Sequence, residues 1–166
     1  MFFSIQVASV LYQISSIIDG CDGEIARASL RKSKIGEYVD SILDRFVDFV
    51  FLIILAYVSS LDTFMWFVLA FAVFGSVMVS YSTEKYKSAF FESLYAKIPA
   101  MKYLVGKRDE RIFVVMLFCI LGLIRELIFI LAFWTNLRVI LTLLIVYLSH
   151  SKSYSKSEIA SKSDLG

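Results

Sequence analysis

Residues 19–44 read DGCDGEIARASLRKSKIGEYVDSILD and hold four aspartates, Asp19, Asp22, Asp40 and Asp44, between two largely apolar runs. The upstream run extends from Phe2 to Ile18 and stops at the first aspartate; the downstream one begins at Phe46. Residues three or four apart share a helix face. Asp19, Asp22, Gly23 and Ala26 therefore line one side of a first helix, and Gly36, Asp40 and Asp44 one side of a second. Four carboxylates brought together on such faces repel one another unless cations bind or protons are taken up. Oxygen ligands without a nearby His or Cys pair suit a hard ion, Mg²⁺ or Mn²⁺, rather than zinc. Small Gly23 and Ala26 let a bulky group such as a nucleotide lie against the backbone, and the planar fork of Arg27 suits phosphate. A single acid at a helix end is usually only solvated, but four at this spacing beside apolar helices point to function, because charge at membrane depth is costly.

The wider composition agrees. The chain has 166 residues, is 58% hydrophobic and contains one proline, with a mean hydropathy of +0.74. Those values exclude an ordinary soluble domain and predict an all-α, polytopic membrane helical bundle. Apolar segments from Phe2 to Ile18, Phe46 to Ser60, Phe64 to Val79, Ile112 to Ile124 and Leu127 to Leu148 predict five transmembrane helices in one domain over 1–149. Arg27, Arg31, Lys32 and Lys34 lie between the first two helices, and basic residues from Lys85 to Arg111 surround the connection after the third. By the positive-inside tendency these connections, and the active site with them, face the cytoplasm. The opposite turns hold Asp62 in one and Arg125 with Glu126 in the other.

The connection 84–110 carries Pro99 and mixes apolar residues with lysines, which predicts a short amphipathic helix on the membrane surface. Lys102, Lys107, Arg108 and Arg111 are candidates for gripping a phosphate. Attraction to anionic lipid is the plainer role for most of the lysines, whereas Arg108 and Arg111 stand where the fourth helix enters the membrane. Residues 150–166, rich in Ser and Lys, read as a disordered tail. Arg45, Asp48 and Arg138 lie in or beside apolar stretches and each requires a partner or a path to water. Cys21 and Cys119 predict no disulfide in a cytoplasm-facing site, and no nucleic-acid partner is expected.

Taken in order, Asp19, Asp22, Gly23, Ala26, Arg27, Gly36, Asp40 and Asp44 form the pattern D-x2-D-G-x2-A-R-x8-G-x3-D-x3-D. This resembles the signature of the CDP-alcohol phosphotransferase family. The resemblance implies transfer of a substituted phosphoryl group from a CDP-alcohol donor to the hydroxyl of an acceptor alcohol, with release of CMP. It implies that Asp19, Asp22, Asp40 and Asp44 bind two divalent ions and that Asp44 is the general base. Asp19, Gly23, Ala26, Arg27 and Gly36 would hold the CDP group. It further implies six membrane helices and a homodimer. The stretches YQISSIIDGCDGEIAR and GEYVDSILDRFVDF are similar to the branch that makes di-myo-inositol phosphate phosphate from CDP-inositol and inositol phosphate. In that branch a cytidylyltransferase domain often precedes the membrane domain. A polyol phosphate acceptor is thus expected, with a lipid route from CDP-diacylglycerol as the comparable choice.

The chain starts inside what the family pattern makes the second helix, so a first helix is expected upstream of Met1. Two other classes remain open on the sequence. A divalent-cation transporter also places aspartates on facing helices, but has no use for the Gly, Ala and Arg positions that suit a nucleotide. A non-catalytic membrane assembly subunit is the other. A membrane prenyltransferase is disfavoured by the lack of DDxxD-like pairs.

Overall fold

A computed structural model describes residues 2–28, 33–98, 101, 104 and 106–163, without the side chains of residues 2, 3, 22–24, 26–28, 34 and 151–163. The described residues form helices and connections with no strand: α1 Phe2–Ala28, α2 Lys34–Val58, α3 Thr63–Phe90, α4 Leu94–Lys97, α5 Arg108–Leu121 and α6 Ile124–Ser163. The all-α expectation holds. Of the five expected spans, α3 over Thr63–Phe90 and α6 over Ile124–His150 are long and apolar enough to cross a membrane by length and composition. α5, at 14 residues, is about 21 Å long, short of a bilayer core of about 30 Å.

Local chemistry sets the helix ends. Ser33 caps α2, its hydroxyl accepting from Gly36 N at 2.8 Å. α5 stops at Gly122, whose φ of 74° suits a residue without Cβ. Gly122 N then donates to Cys119 O and Leu123 N to Phe118 O, which turns the chain straight into α6. The α2–α3 and α5–α6 turns lie at one end of the bundle, joined by Arg125 donating to Asp62 at 2.6 Å. The acidic signature lies at the other.

Packing joins α3 to α6 along the longest seam, with α1 against α5 and α2 against α3. Gly75 makes the α3–α6 seam close: an added Cβ would collide with the Thr135 hydroxyl and come within 2.7 Å of Asn136 Nδ2. Asn136 donates to Phe71 O at 2.9 Å across the seam and to Ala132 O within α6. Leu55, Ala56, Met65, Leu69, Ala72, Cys119, Leu127 and Ile128 form the centre of the core.

The surface is inverted relative to a soluble protein. Phe67, Phe71 and Phe133 are 68%, 64% and 69% exposed, while Arg111, Arg138, Thr135 and Thr142 are buried. Aromatic residues outside and polar ones inside fit an apolar solvent. The buried hydroxyls return their hydrogen to the carbonyl one turn back, Thr135 to Leu131 O and Thr142 to Arg138 O.

Two connections differ from expectation. In 84–110 the first part is not a separate surface helix: α3 continues to Phe90, and among the described residues Leu94–Lys97 forms a further short helix. Tyr86, Leu94, Ile98 and Met101 are buried together against Ile145 and Val146 of α6. Their apolar sides find protein to pack on, which draws the connection onto the bundle. At the C-terminus α6 runs on through Ser163 where a disordered tail is expected from 150. No Pro or Gly interrupts the sequence between His150 and Ser163, so nothing in it breaks the helix.

Candidate active site

Three of the four aspartates converge. One carboxylate oxygen each from Asp19 of α1 and from Asp40 and Asp44 of α2 lie within 4.8 Å of one another. That spacing is close enough for the three carboxylates to hold one hard divalent ion. The donor set is all carboxylate, which fits Mg²⁺ or Mn²⁺. Asp22, Gly23, Ala26 and Arg27 lie on the last turns of α1, and their side-chain placement is outside the described residues. Gly36 sits in the first turn of α2, where an added Cβ would come 2.9 Å from the Ser33 hydroxyl.

Asp44 lies two residues ahead of the apolar run that begins at Phe46. Burial pushes its carboxyl up to about 6, Arg108 acts against that rise, and the Asp19 and Asp40 charges add to it. Arg45 stays beside it, Nη1 3.8 Å from Asp44 Oδ2, and also donates to Ser41 O.

A cationic layer from α5 covers the cluster. Arg108 Nη1 lies 2.8 Å from Asp44 Oδ1 and 3.3 Å from Asp19 Oδ2, and its Nε donates to Asp48 Oδ1 at 3.3 Å. Asp48 also accepts from the Tyr12 hydroxyl at 2.5 Å and faces Arg111 Nη2 at 3.9 Å. Arg111 is buried and donates Nη1 to Ser76 O on α3 at 2.9 Å. Asp48, which needed a partner, therefore has three.

Of the expected phosphate-binding residues Lys102, Lys107, Arg108 and Arg111, the last three are among the described residues. Lys102 lies outside the described residues. Lys107 places its ammonium 5.5 Å from the centre of the Tyr95 ring. Arg108 and Arg111 are engaged as described. α5 itself starts firmly, with Gly106 N and Lys107 N both donating to Glu110 Oε2. A cation that the spacing did not point to joins this side: Arg138 of α6 is 2% exposed and donates Nη2 to the Tyr95 hydroxyl at 3.1 Å. Its Nη1 is buried with no hydrogen-bond partner among the described residues, and Gly106 lies close enough that a Cβ there would come 2.9 Å from it. The only sequence signal was its charge deep in an apolar helix.

The chain is similar to known proteins. A family model described as CDP-alcohol phosphatidyltransferase matches residues 2–135. Three relatives carry the name "Bifunctional IPC transferase and DIPP synthase". The Archaeoglobus fulgidus protein is 61% identical over 74% of this chain and 24% of its own length. The Aquifex aeolicus protein is 54% identical over 88% of this chain and 34% of its own, and the Thermococcus kodakarensis protein 52% identical over 90% and 36%. The chain thus spans about a quarter to a third of the length of the curated relatives it matches.

Proposed function

Because this chain belongs to the CDP-alcohol phosphatidyltransferase family, we propose that it is the membrane transferase unit that moves a substituted phosphoryl group from a CDP-alcohol to an acceptor hydroxyl, releasing CMP. The observation that carries this reading is the convergence of Asp19, Asp40 and Asp44 from two helices at the positions of the matching motif. The donor is CDP-inositol and the acceptor an inositol phosphate, in keeping with the relatives' name, which includes DIPP synthase. CDP-diacylglycerol is the competing donor.

Asp19, Asp22, Asp40 and Asp44 would hold two divalent ions, which would supply positive charge against the donor pyrophosphate and the departing CMP. Gly23, Ala26, Arg27 and Gly36, with Asp19, seat the cytidine and its phosphates. The acceptor oxygen forms a bond to the donor phosphorus that carries the alcohol, and the bond from that phosphorus to the CMP oxygen breaks. Asp44 takes the acceptor proton as this happens; its raised carboxyl range brings its basicity closer to neutral pH. Lys107 and Arg138, which both contact Tyr95, supply cationic charge for the acceptor phosphate, with Lys102, Arg108 and Arg111 as the further candidates.

The domain 1–149 crosses the membrane five times in this chain, with the aspartates facing the cytoplasm, where CTP-derived donors are made. It pairs as a homodimer and works with a cytidylyltransferase domain or partner that supplies the donor.

The test is CMP release by the purified, detergent-solubilised chain with Mg²⁺ or Mn²⁺, offered CDP-inositol with inositol phosphate or CDP-diacylglycerol with polyol phosphates. Metal-dependent CMP release with one pair, abolished by Asp44→Asn, supports the reading and names the donor. No release from any pair, including after joining to the upstream region of a relative, overturns it.

A further inference from the structure

Arg108 stands against the very oxygens that make the metal cluster. Its Nη1 is shared between Asp44 Oδ1 at 2.8 Å and Asp19 Oδ2 at 3.3 Å, two of the three carboxylates that converge. The other end of the guanidinium is held separately, Nε on Asp48 Oδ1. Asp48 in turn is fixed from α1 by the Tyr12 hydroxyl, and it faces Arg111, which is tied to Ser76 O of α3. The guanidinium therefore has a pivot anchored on three helices and a prong resting on the cluster. A divalent ion drawn to Asp19 and Asp44 meets this prong as a like charge competing for the same lone pairs, in a site where the Arg108 and Asp44 side chains are only 20% and 19% exposed and screening is weak.

We propose that Arg108 is a built-in competitor of the divalent ion for Asp19 and Asp44. Binding of the ion displaces Nη1 while Asp48 keeps the Nε end, and the freed donors turn toward an anionic phosphate. Part of the cluster's negative charge is thereby offset until metal arrives, and the phosphate-binding capacity of Arg108 becomes available only with the ion. This rests on the reading of the aspartates as metal ligands given above.

Mn²⁺ binding, followed by the electron paramagnetic resonance signal of free Mn²⁺ with the full solubilised chain and no nucleotide, tests it. Loss of an ion pair worth roughly 1 kcal/mol corresponds to Mn²⁺ binding about fivefold tighter in R108Q. Lys107→Gln, which removes a neighbouring charge that does not touch the cluster, shifts binding less than about twofold on the same scale. Arg108→Lys, a second variant that keeps the charge but has no fork to span Asp48 and the Asp19–Asp44 pair, also binds more tightly than wild type. Unchanged or weaker binding in both Arg108 variants overturns the proposal, as does an equal gain in R108Q and K107Q, which signifies a general field. Mn²⁺ bound by wild type and lost in Asp40→Asn keeps the metal reading intact whatever Arg108 does. No Mn²⁺ binding in any variant overturns both.

Discussion

Asp40 contributes an oxygen to the cluster from an exposed side chain with no ion pair to Arg108 among the described contacts, so its removal tests the site with little collateral damage. Asp40→Asn is expected to weaken Mn²⁺ binding at least about tenfold while leaving the melting temperature of the solubilised protein nearly unchanged. Asp44 adds a pH dependence with a definite sign. Its carboxyl takes up a proton as pH falls through about 6, and a protonated oxygen is a poor ligand, so protons and metal compete. Mn²⁺ affinity should be flat above pH 7 and fall on acidification through that range; affinity independent of pH from 7.5 to 5 would remove Asp44 from the ligand set. Asp48 is different in kind. Asp48→Asn takes the carboxylate from buried Arg111, and leaving such a charge less compensated costs about 3 kcal/mol or more, read as a lowered melting temperature rather than as a selective loss of turnover.

At the scale of elements, helical periodicity alone brought Asp40 and Asp44 onto one face, and the apolar run ending at Asp19 placed the first carboxylate opposite them. Those relations were legible because they are local. The seating of Arg108 among them was not, since it joins residues 60 and 89 positions apart and depends on α5 packing along α1. The same limit explains the 84–110 connection. Its apolar residues match a surface helix in isolation, but Tyr86, Leu94 and Ile98 belong to a cluster against which Ile145, far ahead in the chain, packs. Gly75 marks another non-local requirement, the close α3–α6 seam. Gly75→Leu is expected to force these helices apart against Thr135 and Asn136 and to lower the melting temperature by overpacking worth about 1–3 kcal/mol, whereas the same change at Gly20, with nothing within 4 Å, should be tolerated for folding.

Over the whole molecule, charge separates the two ends of the bundle. One end gathers Asp19, Asp40, Asp44, Lys107 and Arg108; the other is closed by short turns and the exposed Asp62–Arg125 pair. The proposed orientation, with the aspartate end in the cytoplasm as the positive-inside tendency predicts, is measurable through the cysteines. Cys21 is exposed, on α1 two residues after Asp19, while Cys119 is buried, so one native thiol reports the catalytic end. Ser60, in the α2–α3 turn with φ of 50°, offers a position for a reporter at the opposite end. A membrane-impermeant maleimide applied to intact cells should spare the native protein and label Cys21 only after permeabilisation. In a Cys21→Ser background, Ser60→Cys should be labelled without permeabilisation. Labelling of Cys21 in intact cells would reverse the orientation and separate the aspartates from cytoplasmic nucleotide, which no arrangement of the site residues could then reconcile with a CTP-derived donor.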